Sequence, residues 1–241
     1  MTPQQLKNSI LKRAMEGRLV PQRAEEGTAK ELLRKIQAEK AQLLAAKKIK
    51  KTKPLPPITE EEKPFAIPDS WEWVRLDDVA QQIGDIDHKM PVTVTDGIPY
   101  ISPLNFTPAG IDYDSAKKIS VEDYERLSQK IKPQRGDIIF PRYGTIGVIR
   151  QVETDIPFLA SYSCCVMKLL QNLMDKSFIR YVLESLLIKS EINRYINKTT
   201  QPNVGLKSIQ RFLFPLPPLA EQHRIVAKLE ELLPLCGQLQ K

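Results

Sequence analysis

The stretch Pro215-Leu216-Pro217-Pro218-Leu219-Ala220-Glu221-Gln222-His223-Arg224-Ile225-Val226-Ala227-Lys228-Leu229-Glu230-Glu231-Leu232-Leu233 decides how this chain is organised. A proline-rich strap ends and a helical pattern begins at once. Proline has no N–H to give to a strand ladder, but it suits the start of a helix, where the first N–H groups lack partners. Beyond it, Ile225, Leu229, Leu232, Cys236 and Leu239 recur at steps of four, three, four and three residues. That spacing is an a/d seam, widened by Val226 and Leu233. An amphipathic helix with its seam still uncovered needs a partner, either within its own core or from a second chain. Pro234 falls inside the seam and predicts a kink or an interruption.

Working outward, the composition bounds the answer. A chain of 241 residues admits one large domain, or one domain with helical appendages. Its 41% hydrophobic content is enough for a core. No apolar run approaches the roughly 18 residues of a membrane span. The polar start Met1-Thr2-Pro3-Gln4-Gln5 is not a secretory signal. The three cysteines, Cys164, Cys165 and Cys236, lack metal-ligand spacing and read as buried reduced thiols, which points to the cytoplasm. The charge is uneven. Residues 1–53 hold 14 Lys+Arg against 5 acids, and the remaining 188 residues hold 22 against 24. A basic arm on a near-neutral body suits nucleic acid or an acidic partner, and equally a solvated lysine-rich helix.

Residues 4–16 read as a helix, with Gly17 as its C-cap and Pro21 blocking continuation. Thr28 and Glu31 form a capping-box pattern for a second helix that runs to about Ala46. The lysine run Lys47, Lys48, Lys50, Lys51 and Lys53 then leads into the stiff linker Pro54-Leu55-Pro56-Pro57-Ile58. Trp71 to Leu76 alternates as a strand, and a short helical turn follows at Asp77–Ala80. Ile83 to Lys89 reads as a polar loop, Gly97–Ser102 as a strand, Pro103–Gly110 as a loop, and residues 120–129 as helical turns. Strands are expected at Asp137–Pro141, Thr145–Arg150, Phe158–Ala160 and Cys164–Leu169, and one helix at Lys176–Tyr195 with Leu186 and Leu187 inward. Asn197–Gly205 is a polar loop, Leu206–Ile209 a helical turn, and Arg211–Phe214 a last strand. The expected divisions are a helical region with its linker at 1–57, a body at 58–214 and a C-terminal helix at 215–241.

Several of these segments resemble type I restriction–modification specificity (S) subunits. Ile67-Pro68-Asp69-Ser70-Trp71-Glu72-Trp73-Val74-Arg75-Leu76 resembles the beginning of the family's target recognition domain. Gly136-Asp137-Ile138-Ile139-Phe140-Pro141-Arg142-Tyr143-Gly144-Thr145-Ile146-Gly147 resembles its Gly-Asp strand and glycine loop. Asn203-Val204-Gly205-Leu206-Lys207-Ser208-Ile209 looks like its exit, and the strap from Pro215 with its helix looks like the proximal conserved region. Residues 6–22 are similar to the end of the family's spacer helix. The resemblance implies an α+β fold, with one globular mixed α/β target recognition domain flanked by long helices that form an antiparallel coiled-coil dimer arm. The usual member carries two recognition domains and this chain has one, which implies a half-size subunit that pairs as a homodimer.

The resemblance also implies a non-catalytic adaptor. It would read one half of a bipartite site on double-stranded DNA and carry methyltransferase (M) and restriction (R) subunits, with no cofactor and no metal of its own. The residues agree with chemistry lying elsewhere. There is no GxxxxGK[ST] loop for nucleotide phosphates, no Rossmann glycine pattern and no Asn-Pro-Pro-aromatic motif. His88 and His223 have no ligand partners at metal spacing. Base reading needs donor and acceptor side chains on loops. Arg142, Tyr143 and Thr145 lie in one glycine-bounded loop. Lys198, Thr199, Thr200, Gln201 and Asn203 form a second, and Asn105 and His88-Lys89 are further candidates. The structural alternative stays open for each: Arg142 pairing a carboxylate, Tyr143 packing, and 197–205 serving as a solvated connector. Trp71 and Trp73 read as core. The dimer seam is expected at Ile225, Leu229, Leu232, Cys236 and Leu239. A helical adaptor that does not read DNA is the competing function. A nuclease is the other competitor, but no acidic-x-Lys follows Asp137 on the next expected strand.

Overall fold

A computed structural model describes residues 2–86, 90–170, 172–198 and 200–238. His88, Lys89, Thr199 and Leu239 lie outside the described residues. In chain order the elements are α1 (Pro3–Met15), α2 (Ala29–Ala45), β1 (Glu72–Arg75), α3 (Leu76–Val79), β2 (Ala80–Gly84), β3 (Thr93–Val94) and β4 (Ile98–Ile101). Next come β5 (Phe106–Thr107), β6 (Gly110–Ile111), β7 (Lys117–Ile119), α4 (Val121–Ser128), β8 (Ile138–Pro141), β9 (Arg150–Gln151), β10 (Leu159–Ala160) and β11 (Cys164–Leu169). The last are α5 (Lys176–Glu184), α6 (Leu186–Tyr195), α7 (Leu206–Gln210), β12 (Leu213–Leu216) and α8 (Leu219–Gln238). The fold class is α+β. Two compact units form: residues 1–79, 170–191 and 211–241 in one, and 80–169 with 192–210 in the other. These units divide the chain elsewhere than at 57/58 and 214/215, because β1, β12 and α5 group with the helical segments.

In the first unit, two capping boxes set the helix starts. Thr28 Oγ1 accepts from the Glu31 N–H at 3.3 Å, while Glu31 Oε2 accepts from the Thr28 N–H at 3.0 Å. Thr2 and Gln5 do the same for α1, a pair not singled out from the sequence. Gly17 turns the chain after α1 at φ 68°, and a Cβ there would lie 2.4 Å from Pro68 Cγ. β1 and β12 form an antiparallel ribbon with Pro215 opposite Trp73, so the strap begins inside a strand. A two-stranded ribbon has open edges, where proline is tolerated. Both faces of β1 are covered, which is why Val74 and Arg75 are as buried as Trp71 and Trp73. Arg75 grips Glu62 at 3.1 and 2.9 Å and donates to the carbonyls of Pro56 and Arg211. The proline linker is therefore strapped to β1 rather than left as a free spacer.

α8 runs on through Pro234 as one helix, so of the expected kink or interruption the interruption is absent. Part of its seam is covered within this unit, where α8 packs on α1 and α5. Ile225 and Leu229 are fully buried, as are Leu11, Ala14 and Met15 of α1. The helix expected over 176–195 is two helices. Ser185 leaves helical geometry at φ −71°, ψ 160°, and its hydroxyl donates to the Val182 carbonyl at 2.6 Å. The break rotates the second helix, so Leu186 faces out at 47% exposure and Ile188 is buried instead.

In the second unit, one sheet has the strand order β2-β11-β8-β9 and another β10-β4-β7-β3, with β5-β6 a separate hairpin. β11 is buried at all six positions, as a central strand between covered faces must be. Its residues Cys164 and Val166 share a core cluster with Ile101, Ile119, Phe158 and Leu159 of the other sheet and its flank. Two expectations fail here. Ala80–Gly84 is a strand paired with β11, where a polar loop was expected from Ile83. Of Thr145–Arg150 only Arg150 is strand, because Gly144 and Gly147 take φ 69° and 81° and turn the chain between.

Candidate nucleic-acid interface

The sheets of the second unit bring several loops to one end. β4 and β10 are parallel, in the register Tyr100↔Leu159 and Ile101↔Ala160, so they finish side by side. The Ser161 N–H donates to the Ile101 carbonyl at 2.7 Å, fixing the turn 161–163 beside the loop after β4. That turn enters β11, whose Cys164 faces Pro141 at the end of β8. The N–H groups of Arg142 and Tyr143 both donate to the Ser163 carbonyl, at 2.8 and 3.3 Å. The glycine loop after β8 thus grows from the same end.

The second polar loop is zipped onto the first. The Val204 N–H donates to the Arg142 carbonyl at 3.0 Å, and Arg142 Nε donates to the Val204 carbonyl at 3.2 Å. Asn203 bridges to both Tyr143 and Asn197. Residues proposed separately from sequence, some 60 positions apart, stand together. Tyr143 lies half-buried with its ring edge-on to Tyr162, centroids 6.3 Å apart. Thr145, Lys198, Thr200 and Gln201 are exposed, and Asn203 is half-buried with its amide on the Gln201 carbonyl. The result is an exposed ridge bearing hydroxyls, amides and an ammonium, the donor and acceptor types that base edges and phosphates require.

Two candidates play a different part. Arg142 is buried, its side chain only 6% exposed, and it is ion-paired to Asp85. Its guanidinium ties the ends of β2 and β8 to the 203–204 loop. Asn105 is buried as well. Its Oδ1 accepts from the Ser102 N–H and hydroxyl at 3.0 and 3.2 Å, and the Asp112 N–H donates to its carbonyl at 2.9 Å. Sequence reading missed Asp85, Tyr162, Ser163 and Val204. Asp85 carried a signal, as an acid near the end of what proves to be a strand. Its partner lies 57 residues away and is visible only in the fold.

At the opposite end of β8 from the ridge, Asp137 anchors the turn into the strand. Burial pushes its carboxyl up, opposed by Lys168 Nζ at 2.6 Å and by the Gln134 N–H at 2.8 Å. Burial pushes the Cys164 thiol up to about 12 and raises Cys165 as well, so neither is a nucleophile or ready ligand near neutral pH. Among the described residues, no three His, Cys, Asp or Glu side chains gather in a way that could hold a metal ion. No helix among them is long and apolar enough to cross a membrane.

The strap and its helix form a second cluster, in the first unit. Glu221 is buried and accepts from Trp71 Nε1 at 2.8 Å and Gln22 Nε2 at 2.6 Å; burial raises its carboxyl above the ordinary range against both bonds. Gln222 accepts from the Asp175 N–H at 3.0 Å and donates to the Pro217 carbonyl at 3.0 Å. Arg224 grips Glu26 at 2.7 and 2.6 Å, holding that carboxyl below its ordinary range. His223 is exposed, 3.7 Å from Asp175. Of the expected dimer seam, Ile225, Leu229 and Cys236 are buried inside this unit and Leu232 is half-buried.

The model of the type I restriction modification DNA specificity domain matches residues 68–241, and the chain belongs to that family. It is 32% identical over 249 residues to the type I restriction enzyme EcoAI specificity subunit of Escherichia coli. It is 29% identical over 248 residues to the EcoEI specificity subunit of the same organism. Both alignments cover 97% of this chain but only 40% and 41% of those proteins, so the chain spans about two-fifths of their length. The crystal structure of the HsdS subunit from Thermoanaerobacter tengcongensis shares the fold, with a TM-score of 0.54 and 20% identity over 99% of this chain and 52% of that one.

Proposed function

We propose that this chain is a non-catalytic, sequence-specific DNA-binding subunit of a type I restriction–modification system, working in the cytoplasm. The ridge formed by Tyr143, Thr145, Lys198, Thr200, Gln201 and Asn203, with Thr199 in the same loop, reads one half of a bipartite site on double-stranded DNA. The observation that carries this reading is the zipping of loops 142–148 and 197–204 into one exposed polar surface on a rigid sheet end. The lysine run 47–53 supplies phosphate contacts, which the near-neutral body cannot supply by net charge. The helical segments carry methyltransferase and restriction subunits, in keeping with the EcoAI and EcoEI relatives being named subunits of type I restriction enzymes.

Two copies pair through helices, so that two ridges address two half-sites. Ile225, Leu229 and Cys236 of the a/d seam are buried inside the unit, so pairing uses side chains left partly or fully open: Leu232, Leu233 and Leu235 of α8, with Leu43 and Leu44 of α2. The test is binding by the chain assembled with its methyltransferase partner to duplexes of cognate and scrambled sequence. Preference for the cognate duplex supports DNA reading. Equal binding to both makes the chain a protein–protein adaptor only.

A further inference from the structure

The loop Ser102-Pro103-Leu104-Asn105 presents a side chain that neither the core nor the ridge accounts for. Leu104 is 95% exposed. A scattered exposed leucine is ordinary on a protein surface, but this one is held rigidly. Pro103 fixes its own φ. The Asn105 N–H donates to the Ser102 carbonyl at 3.0 Å, and Asn105 Oδ1 accepts from the Ser102 N–H and hydroxyl. Asn105 is itself only 8% exposed, and its carbonyl is tied to the Asp112 N–H. Leu104 is thus pinned on both sides, and its backbone cannot turn the side chain inward.

Position is the second observation. This loop leaves the end of β4, beside the 161–163 turn that leaves β10, and Tyr162 of that turn lies against Tyr143 of the ridge. Leu104 therefore stands on a loop at the same sheet end as the polar ridge and adds an aliphatic side chain there. Among the bases, thymine alone offers an apolar group in the major groove, its C5 methyl, and a hydrocarbon side chain recognises it by excluding water. Hydroxyl, amide and ammonium groups do not detect that methyl; among the described ridge residues Thr145 and Thr200 each carry one methyl, and Leu104 offers the larger hydrocarbon surface. A side chain on a pre-ordered loop also loses little backbone freedom on binding.

We infer that Leu104 is a specificity-determining contact to the C5 methyl of one thymine in the half-site. The inference rests on the DNA-reading role proposed above. The test uses the chain assembled with its methyltransferase partner and half-site duplexes in which each thymine in turn is replaced by deoxyuridine, which removes only the methyl. One position should weaken binding about fourfold, the worth of one buried methyl. Leu104→Ala should weaken wild-type duplex binding similarly and lose sensitivity to deoxyuridine at that position, with its urea midpoint unchanged. Three outcomes overturn the inference while leaving DNA reading intact: a Leu104→Ala complex with unchanged affinity and deoxyuridine response, indifference of the wild type to every replacement, or a half-site without thymine. Equal binding of wild type to cognate and scrambled duplexes overturns both readings.

Discussion

At the scale of single residues, the structure separates side chains that face solvent from those that hold the others in place. Arg142 belongs to the second group. Removing its side chain takes away the ion pair to Asp85, 13% exposed, and the bond from Nε to the Val204 carbonyl, and leaves the backbone bond from the Val204 N–H in place. Arg142→Ala is expected to cost about 3–5 kcal/mol in urea unfolding of the chain, whereas Lys198→Ala and Thr200→Ala should leave stability unchanged and weaken cognate binding by the assembled complex. Equal stability for all three variants would contradict this division. Glu221 gives a pH prediction. Its folded pKa is raised by burial above the unfolded value. Its ionised form is therefore a cost at neutral pH, relieved as pH falls through the folded pKa toward the unfolded one. Thermal scans of wild type and Glu221→Gln should show the wild type gaining ground relative to the variant between pH 7 and the ordinary carboxylate range. A constant difference across that window would mean that the carboxyl does not titrate there.

At the scale of elements, sequence periodicity located α1, α2, α4, α8 and the strands β1, β4, β8, β10, β11 and β12, because amphipathic repeats and capping residues are local signals. It failed where the deciding force was not local. β2 was hidden because a polar strand beside a buried one reads as a loop. The glycines at 144 and 147 ended the expected strand, since their positive φ turns the chain. Ser185 split a helix whose apolar residues still looked continuous. The α8 seam was legible as a seam, but its partner was not, because only the fold brings α1 against it. Leu229 is fully buried in that packing, so Leu229→Ala should cost about 2–5 kcal/mol in denaturant unfolding. Leu233→Glu should leave stability nearly unchanged and convert a pair of chains to single ones in light scattering. A Leu229→Ala variant as stable as wild type would place the seam outside the core. At Gly147, a Cβ would stand 2.8 Å from Ile192 Cδ1 on a backbone at φ 81°. Gly147→Ala should therefore lower the thermal midpoint, while Lys198→Ala should not.

At the scale of the whole molecule, the candidate site was legible in parts. Both polar loops could be chosen from their residue types, but nothing local showed that they are one surface, that Asn105 serves as a staple or that Leu104 projects. Those facts depend on the parallel pairing of β4 with β10 and on a buried ion pair between distant segments. Charge belongs to this scale too. If the lysine run meets phosphates, replacing Lys47, Lys48, Lys50, Lys51 and Lys53 by Gln should flatten the slope of log K against log salt by roughly 0.9 for each phosphate no longer neutralised. It should do so equally on cognate and scrambled DNA. An unchanged slope would remove that run from the interface.

The most direct measurement is the methylated motif in the DNA of cells that carry this chain with its methyltransferase partner. DNA reading by paired copies predicts a symmetric bipartite motif. Substituting Thr145, Lys198, Thr200 and Gln201 together should change or relax the bases of each half-site while the spacing between halves stays the same. An unaltered motif, methylated to the same extent after those substitutions, would contradict the assignment of the ridge as the reader.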